Sequence, residues 1–439
     1  MQQMARLKRE RVSGARHGKL RRSSSLANVG KVLLTTLIVF AVSGISVGAY
    51  AIFGVVNDVK TVELPAPASA NAIGAGGKEL DGALTVLLVG SDSRAGQSLD
   101  DGETGELNDV NLLLHIPADH KSATIMSFPR DLMVPIPSCP SEEGEENYYP
   151  AMSQQQINSA MMYGGLGCVA ETISYLTGME IPYAALVTFD GVINISNAIG
   201  GVTVCLAQPI DDQMTGLSLP AGDVSLQGLE ALQFLRSRYG VGDGSDVSRI
   251  SNQQVFMSAL IRQMQSAETL SNPMKVYGLA KAGFNSLTMS SSMASIGFMQ
   301  ALAGTAVNID PARINFVQYP SNSHPTLPGR LQPNTYLGDQ LIEVVLSGQP
   351  FEVATRGNAA VELGPDGQPL PATPTTPAPA PDGTTPAPDG TTDPNAAPTD
   401  PNASPADPGA EAPSTQVLPE GITGQSAADV TCSAGRTVY

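Results

Sequence analysis

The sequence predicts an α/β domain whose sheet is covered by helices on both faces. Three observations predict it. Several short runs are apolar almost throughout and are bounded by turn residues. Those runs alternate with longer segments of helical period. Both kinds are confined to about residues 81–350, and the composition differs on either side. A strand with one face in water alternates apolar and polar residues, whereas one buried on both faces is apolar throughout. In order, Leu84–Gly90 (LTVLLVG), Asn111–Pro117 (NLLLHIP) and Ala123–Pro129 (ATIMSFP) read as strands. SQQQINSAMMYGG and GCVAETISYLTG read as helices closed by glycines. YAALVTF is a buried strand, DGVINISNAIGG a helix and VTVCL a strand. LQGLEALQFLRSR and SDVSRISNQQVFMSALIRQM are helices. MASIGFMQALAGTAV is helical, RINFVQYP a strand and NTYLGDQLIEVVLSG the last helix. Strands alternating with helices imply layers, with helices packed on both sides of one sheet.

The flanks belong to other environments. Residues 1–31 carry nine Lys/Arg against Glu10 alone, a charge of +8, so the rest of this −17 chain carries −25. Val32–Val56 (VLLTTLIVFAVSGISVGAYAIFGVV) is uncharged over 25 residues. As a helix it spans roughly 37 Å, enough to cross a bilayer core. It is too long for a signal-peptide core and has no clean cleavage site, so it reads as an uncleaved single-pass anchor. Positive-inside bias places the basic head in the cytoplasm and everything after Val56 outside. The head is then a topology determinant, and the acidic body excludes nucleic acid as a partner. Residues 57–80 read as a stalk.

Cys139, Cys168, Cys205 and Cys432 all follow the anchor. An even count in an oxidising compartment predicts two disulfides, for which four cysteines allow three connectivities. Cys139–Cys168 would close one excursion, and Cys205–Cys432 would staple the C-terminus to the core. Beyond the domain, 351–420 reads as a linker. Sixteen of the 34 prolines lie between Val361 and Glu420, with PAPDGTT repeated in tandem and no Lys, Arg or aromatic residue. Such a stretch cannot bury enough apolar surface to offset its ordering entropy, so it reads as disordered. Residues 421–439 regain order if Cys432 is tied down.

No Walker A motif, HExxH or credible dinucleotide fingerprint is present. GISVG matches the serine-hydrolase elbow by letter only, since it lies inside the anchor. Neither His115 nor His120 has an evident acid–base partner. What remains is Asp and Arg at strand ends: Asp92 and Arg94 after the first strand, Asp109 before the second, Arg130 and Asp131 after the third. In α/β sheets the crevice beyond the strands' carboxyl ends is where ligands bind. The segment FLRSRYGVGDGSDVSRISNQQ adds Arg236 and Arg238 at one helix end, then Asp246, Arg249 and Gln253 at the start of the next. Converging guanidiniums suit a multiply charged oxyanion held by bidentate hydrogen bonds. The aspartates among them would cancel that field unless they hold a cation. Metal-bound pyrophosphate therefore fits better than bare sulfate, with Mg²⁺ (or Mn²⁺) as the hard, oxygen-ligated ion.

At these residues the chain resembles the LytR-CpsA-Psr family of bacterial cell-envelope proteins. The matching pieces are LLVGSDSR, NDVNLLLHI, IMSFPRDLMVPIP, INSAMMYGG, LTGMEIPYAALVTFDGVINISNAIGGV and LQGLEALQFLRSR, then DVSRISNQQ. The resemblance implies a central mixed β-sheet sandwiched between α-helices, with a long apolar pocket for a lipid. It implies a membrane-anchored, Mg²⁺-dependent phosphotransferase. That enzyme would move a glycopolymer from a polyprenyl-pyrophosphate carrier onto peptidoglycan, making a phosphodiester to a muramyl sugar. Asp92 and Asp109 match the metal-associated aspartates. Arg130 and the Arg236/Arg238 pair match pyrophosphate-contacting arginines, and Asp246, Arg249 and Gln253 match the D-x-x-R-x-x-x-Q that follows. Asp92, Asp109, Arg130 and Arg238 are thus the expected catalytic set, supported by Asp131 and Asp246. Leu107 stands where the family commonly has Arg, an absence Arg94 would offset, and Asn252 stands where Arg often precedes the Gln. Two other readings stay open: a polyprenyl-pyrophosphate hydrolase, and a lipid- or glycan-binding wall-assembly factor without turnover.

Overall fold

The computed structural model describes residues 60–65, 73, 79–93, 97–98, 106–141, 144–271, 273–364 and 416–438. The basic head, the predicted anchor over 32–56, Arg94 and most of the proline-rich stretch lie outside the described residues. Among the described residues no helix is long and apolar enough to cross a membrane.

Eight strands form the central sheet: β1 (Lys60–Val62), β2 (Leu84–Ser91), β3 (Asn108–Ile116), β4 (Ala123–Phe128), β5 (Tyr183–Val187), β6 (Leu287–Ser290), β7 (Ile314–Gln318) and β8 (Gly424–Ser426). Their spatial order is β1-β6-β5-β2-β3-β4-β7-β8. β1 with β6, β2 with β5 and β4 with β7 are parallel. β6 with β5, β2 with β3, β3 with β4 and β7 with β8 are antiparallel. The sheet is therefore mixed, as expected. Alternation along each strand supplies a core on either face. Leu87, Val89, Leu113, Met126 and Phe128 pack with helix α1 (Ala160–Thr177) and with Thr335–Ser347. Val86, Ile116, Ile125 and Met289 pack on the other face, with Phe284 from Pro273–Ser286 and Phe298 from Ile296–Val307.

A smaller layer carries the arginine segment. Helices α2 (Phe189–Ile199), α3 (Leu229–Arg236) and α4 (Asp246–Met264) enclose a third core with the strands Val202–Leu206, Ile210–Asp212, Leu217–Leu219 and Gly222–Leu226. Both disulfides are the expected pairs. Cys139–Cys168 ties a hairpin to α1, and Cys205–Cys432 joins adjacent parallel strands across a sequence separation of 227.

Three expectations are corrected. SQQQ is not helical: Met152–Gln156 pairs antiparallel with Met133–Ile136, and α1 starts only at Ala160. Glutamine is a good helix former, but here cross-strand pairing decides. The break expected at the paired glycines does occur: Gly164 and Gly165 leave helical backbone angles inside α1, and a β-carbon on Gly164 would lie 2.6 Å from the Pro140 carbonyl. The stretch read as a stalk is in part structural, because β1 edges the sheet and Leu80 is buried. The linker's two ends also belong to the fold: Phe351–Glu352 pairs with Gln416–Val417, and Ala360–Val361 with Cys432–Ser433. Both ends lie outside the proline-dense part of the stretch, with no proline in 351–364 and only Pro419 in 416–438, so their backbone N–H groups can pair.

Candidate active site

At the carboxyl ends of β2, β4 and β5 lies a cavity of about 450 Å³, within the usual range for ligand pockets. Much of its lining is apolar, with Leu88 and Leu112 from the sheet, Val192 and Ile195 from α2, and Phe256 and Leu260 from α4. Asp109, Arg130, Arg236, Arg238, Arg249 and Gln253 contribute the polar lining. The sheet makes room locally: register between β2 and β3 shifts at Gly90/Ser91, and a side chain at Gly90 would collide with Val110.

Arg130 follows the end of β4 by two residues and is held from three sides. Its NH1 donates to Asp109 Oδ2 at 2.9 Å, its Nε lies 3.6 Å from Asp246 Oδ1, and its backbone N–H donates to Asp246 Oδ2. Burial disfavours its charge, but Asp109, Asp246 and Asp131 together outweigh that and raise its pKa. Asp246 opens α4, beside the Ser245 cap whose hydroxyl accepts from Ser248 N–H. It is buried and pairs with Arg249 NH2 at 2.7 Å. Arg249 NH2 in turn donates to the Asp109 carbonyl at 2.9 Å. Asp246 therefore orients two arginines. Asp131 faces away from them: its Oδ1 accepts from Arg330 at 2.6 Å and Gln156 at 2.7 Å, leaving Arg130 at 3.8 Å.

Arg236 lies over the Phe189 ring, 4.5 Å from its centroid, a cation–π contact. Arg238 donates through Nε to the Gly244 carbonyl at 3.2 Å. Among the described residues, no carboxylate lies within ion-pair distance of it. Gln253 lines the cavity, but its amide donates to the Leu235 carbonyl and so also closes the end of α3. Asn252 is fully buried, donates to Phe234 O and accepts from Ser433 Oγ, so it braces α3 against the C-terminal segment.

Asp109 and Asp92 differ as metal ligands. Asp109 Oδ1 is buried without a hydrogen-bond partner, which suits a cation. Asp92 Oδ1 accepts from Leu107 N–H at 2.7 Å and does not line the cavity. Among the described residues no group of three or more acidic, His or Cys side chains could hold a metal. An ion here would have to take much of its coordination from bound phosphate and water, a pattern usual for Mg²⁺.

Sequence reasoning missed Asp212. This buried carboxylate accepts from Ser237 Oγ at 2.7 Å, Gly240 N–H at 3.0 Å and Met214 N–H at 3.0 Å. It thereby sets the bend between Arg236 and Arg238. PIDDQM contains two adjacent carboxylates but no motif that singles one out.

The pattern of the LytR_cpsA_psr family matches residues 56–341, well over half the chain. The chain belongs to the LytR-CpsA-Psr family. Cell wall biosynthesis protein LcpA of Corynebacterium glutamicum is 30% identical over 256 residues, 52% of this chain and 49% of that protein. The chain thus spans about half the length of that relative. Polyisoprenyl-teichoic acid–peptidoglycan teichoic acid transferase TagT of Bacillus subtilis is 26% identical over 251 residues, 55% of this chain and 71% of that one. Among solved structures, the LytR-Csp2A-Psr enzyme from Actinomyces oris aligns with a TM-score of 0.48 at 20% identity, covering 65% of this chain and 95% of that one.

Proposed function

We propose that this LytR-CpsA-Psr protein is a glycopolymer–peptidoglycan phosphotransferase. The supporting observation is one cavity whose lining is largely apolar and also holds four arginines, including a guanidinium unpaired by any described carboxylate. That polarity fits an amphipathic donor, a polyprenyl chain inside and a pyrophosphate against the arginines. The predicted anchor over 32–56 would keep the domain at the outer membrane face, where both lipid carrier and peptidoglycan lie.

In the proposed reaction, a muramyl hydroxyl attacks the glycan-bearing phosphorus and the bridging P–O bond breaks. Polyprenyl phosphate leaves, and the hydroxyl proton is lost. Such transfers pass through a loose transition state, so the protein's contribution is positioning and charge stabilisation. Arg236 and Arg238, on either side of Ser237, would meet the leaving phosphate's oxygens. Arg130 and Arg249, locked by Asp246 and Asp109, form a charge-balanced cluster whose N–H groups are fixed in place. Their preorganisation removes the rotamer cost that free arginines would pay on binding. Mg²⁺ or Mn²⁺, held by Asp109, would supply positive charge against the phosphate oxygens, with Asp92 outside the cavity lining.

The test is product identity. The full chain in detergent is incubated with polyprenyl-pyrophosphate glycan, peptidoglycan oligomers and Mg²⁺, and phosphodiester-linked conjugate is measured. Arg238→Ala is expected to lower its formation by about 10²-fold or more, the usual cost of one charge-stabilising donor, without unfolding the domain. Asp109→Ala and chelation by EDTA should each do the same, with Mg²⁺ restoring only the latter. Free glycan phosphate as the sole product would assign hydrolysis instead, and no turnover a binding role.

A further inference from the structure

We infer that Arg436 is a positioning residue for the arginine pair, acting on Arg238 through the loop 239–244. The inference rests on the pyrophosphate reading above. It concerns a segment outside the family match, which ends at residue 341.

Cys432–Val438 runs alongside that loop. Gly242 N–H donates to the Ala434 carbonyl at 2.8 Å, Val241 bridges Gly435, and Arg436 N–H donates to the Gly240 carbonyl at 2.8 Å. Thr437–Val438 then pairs with Asp211 and Asp212, the second of which holds the Arg236–Arg238 bend from beneath. Backbone contacts of this kind brace the loop whatever residue occupies 436.

The Arg436 side chain does something more local. Its Nε donates to the Tyr239 carbonyl, directly after Arg238. Its guanidinium occupies the space a β-carbon would take at Gly244, whose φ of +86° favours glycine. Gly244 in turn offers the carbonyl that receives Arg238 Nε. Arg436 thus touches both ends of the loop, and each end touches Arg238. Among the described residues no carboxylate fixes the Arg238 guanidinium, and its described partners are the Gly244 carbonyl and the Tyr239 ring, 5.5 Å away. A planar guanidinium fills this gap while donating to a carbonyl. A lysine ammonium carries the same charge but cannot reproduce that fit.

The experiment compares binding of geranylgeranyl pyrophosphate and geranylgeraniol to the full chain in detergent, for wild type, Arg436→Ala and Arg436→Lys. Melting temperatures are recorded alongside. Both variants are expected to bind the pyrophosphate about tenfold more weakly, as when an outer partner of a ligating group is removed, with the alcohol unaffected and melting unchanged. A lysine variant that binds like wild type would show that only charge matters, and the inference fails. Equal losses for pyrophosphate and alcohol, or a lowered melting temperature, would reduce Arg436 to a structural role and overturn it as well. If wild type prefers the pyrophosphate but neither variant changes that preference, this inference alone falls. If wild type shows no preference, the pyrophosphate reading falls and takes this one with it.

Discussion

Arg130 and Arg238 are both in the cavity lining, yet their surroundings divide the work between them. Arg130 is surrounded by Asp109, Asp131 and Asp246, whereas Arg238 is held by a carbonyl and a ring. Both were legible in the sequence, because a charged residue closing an apolar run is conspicuous. Asp212 was not, because the donors it serves, Ser237 and Gly240, lie 25 and 28 positions further on. Partnerships of that span appear only once the chain is folded. His115 illustrates a buried group outside the site. It sits in β3, bonded to Thr85 of β2, and burial lowers its pKa. The unfolded chain therefore binds its proton more readily. The stability it contributes is complete above the ordinary imidazole value of about 6.5 and is lost as pH falls through the lower folded value. Melting temperature should drop between pH 7 and pH 5 in wild type, and by less in His115→Gln. Parallel curves for the two proteins would contradict this account.

At the level of elements, the apolar strands were the most legible feature and the polar ones the least. β2, β3, β4 and β7 follow from uninterrupted apolar runs, buried because helices cover both faces. Met152–Gln156 read as helix because three glutamines carry no strand signal, and its partner strand alone makes it extended. Gln416–Val417 was hidden in the same way, in a region whose composition is that of a spacer, whereas Cys432–Ser433 was signalled by its cysteine. The disulfides act on this architecture unequally. Cross-linking residues far apart in sequence removes more entropy from the unfolded chain. With separations of 227 and 29, the Cys205–Cys432 link should stabilise by about 2 kcal/mol more than Cys139–Cys168 on chain entropy alone. Denaturant unfolding of the paired Cys205→Ser/Cys432→Ser and Cys139→Ser/Cys168→Ser variants checks the order. A larger loss from the second pair would mean that native packing around Cys139 outweighs the entropy.

Over the whole molecule, charge is segregated: +8 in residues 1–31 and −25 elsewhere. The arginines of the cavity are a local exception inside an acidic body. An acidic exterior repels free anions at long range, and salt screens that repulsion within about 8–10 Å. A donor delivered by its lipid chain avoids the approach through solution. Such a ligand binds the folded state alone, so it should stabilise by mass action. Geranylgeranyl pyrophosphate at a hundred times its dissociation constant should add about 2.7 kcal/mol. Calorimetry on wild type and Arg238→Ala at equal ligand concentration tests this, and an equal gain in both proteins would remove the arginine from the binding site.

The position of the bracing segment has a consequence for biosynthesis. A chain is made from its N-terminus, and domains begin to fold as they emerge. Here the sheet's β8 edge, the partner of Cys205 and the brace on the Tyr239–Gly244 loop all come from residues 424–438. Strands β1 to β7 can assemble before those residues exist, but the arginine bend cannot reach its final form. Until residue 438 has been made, a nascent molecule has its core and an unfinished site, and so should be inert toward the lipid donor proposed above.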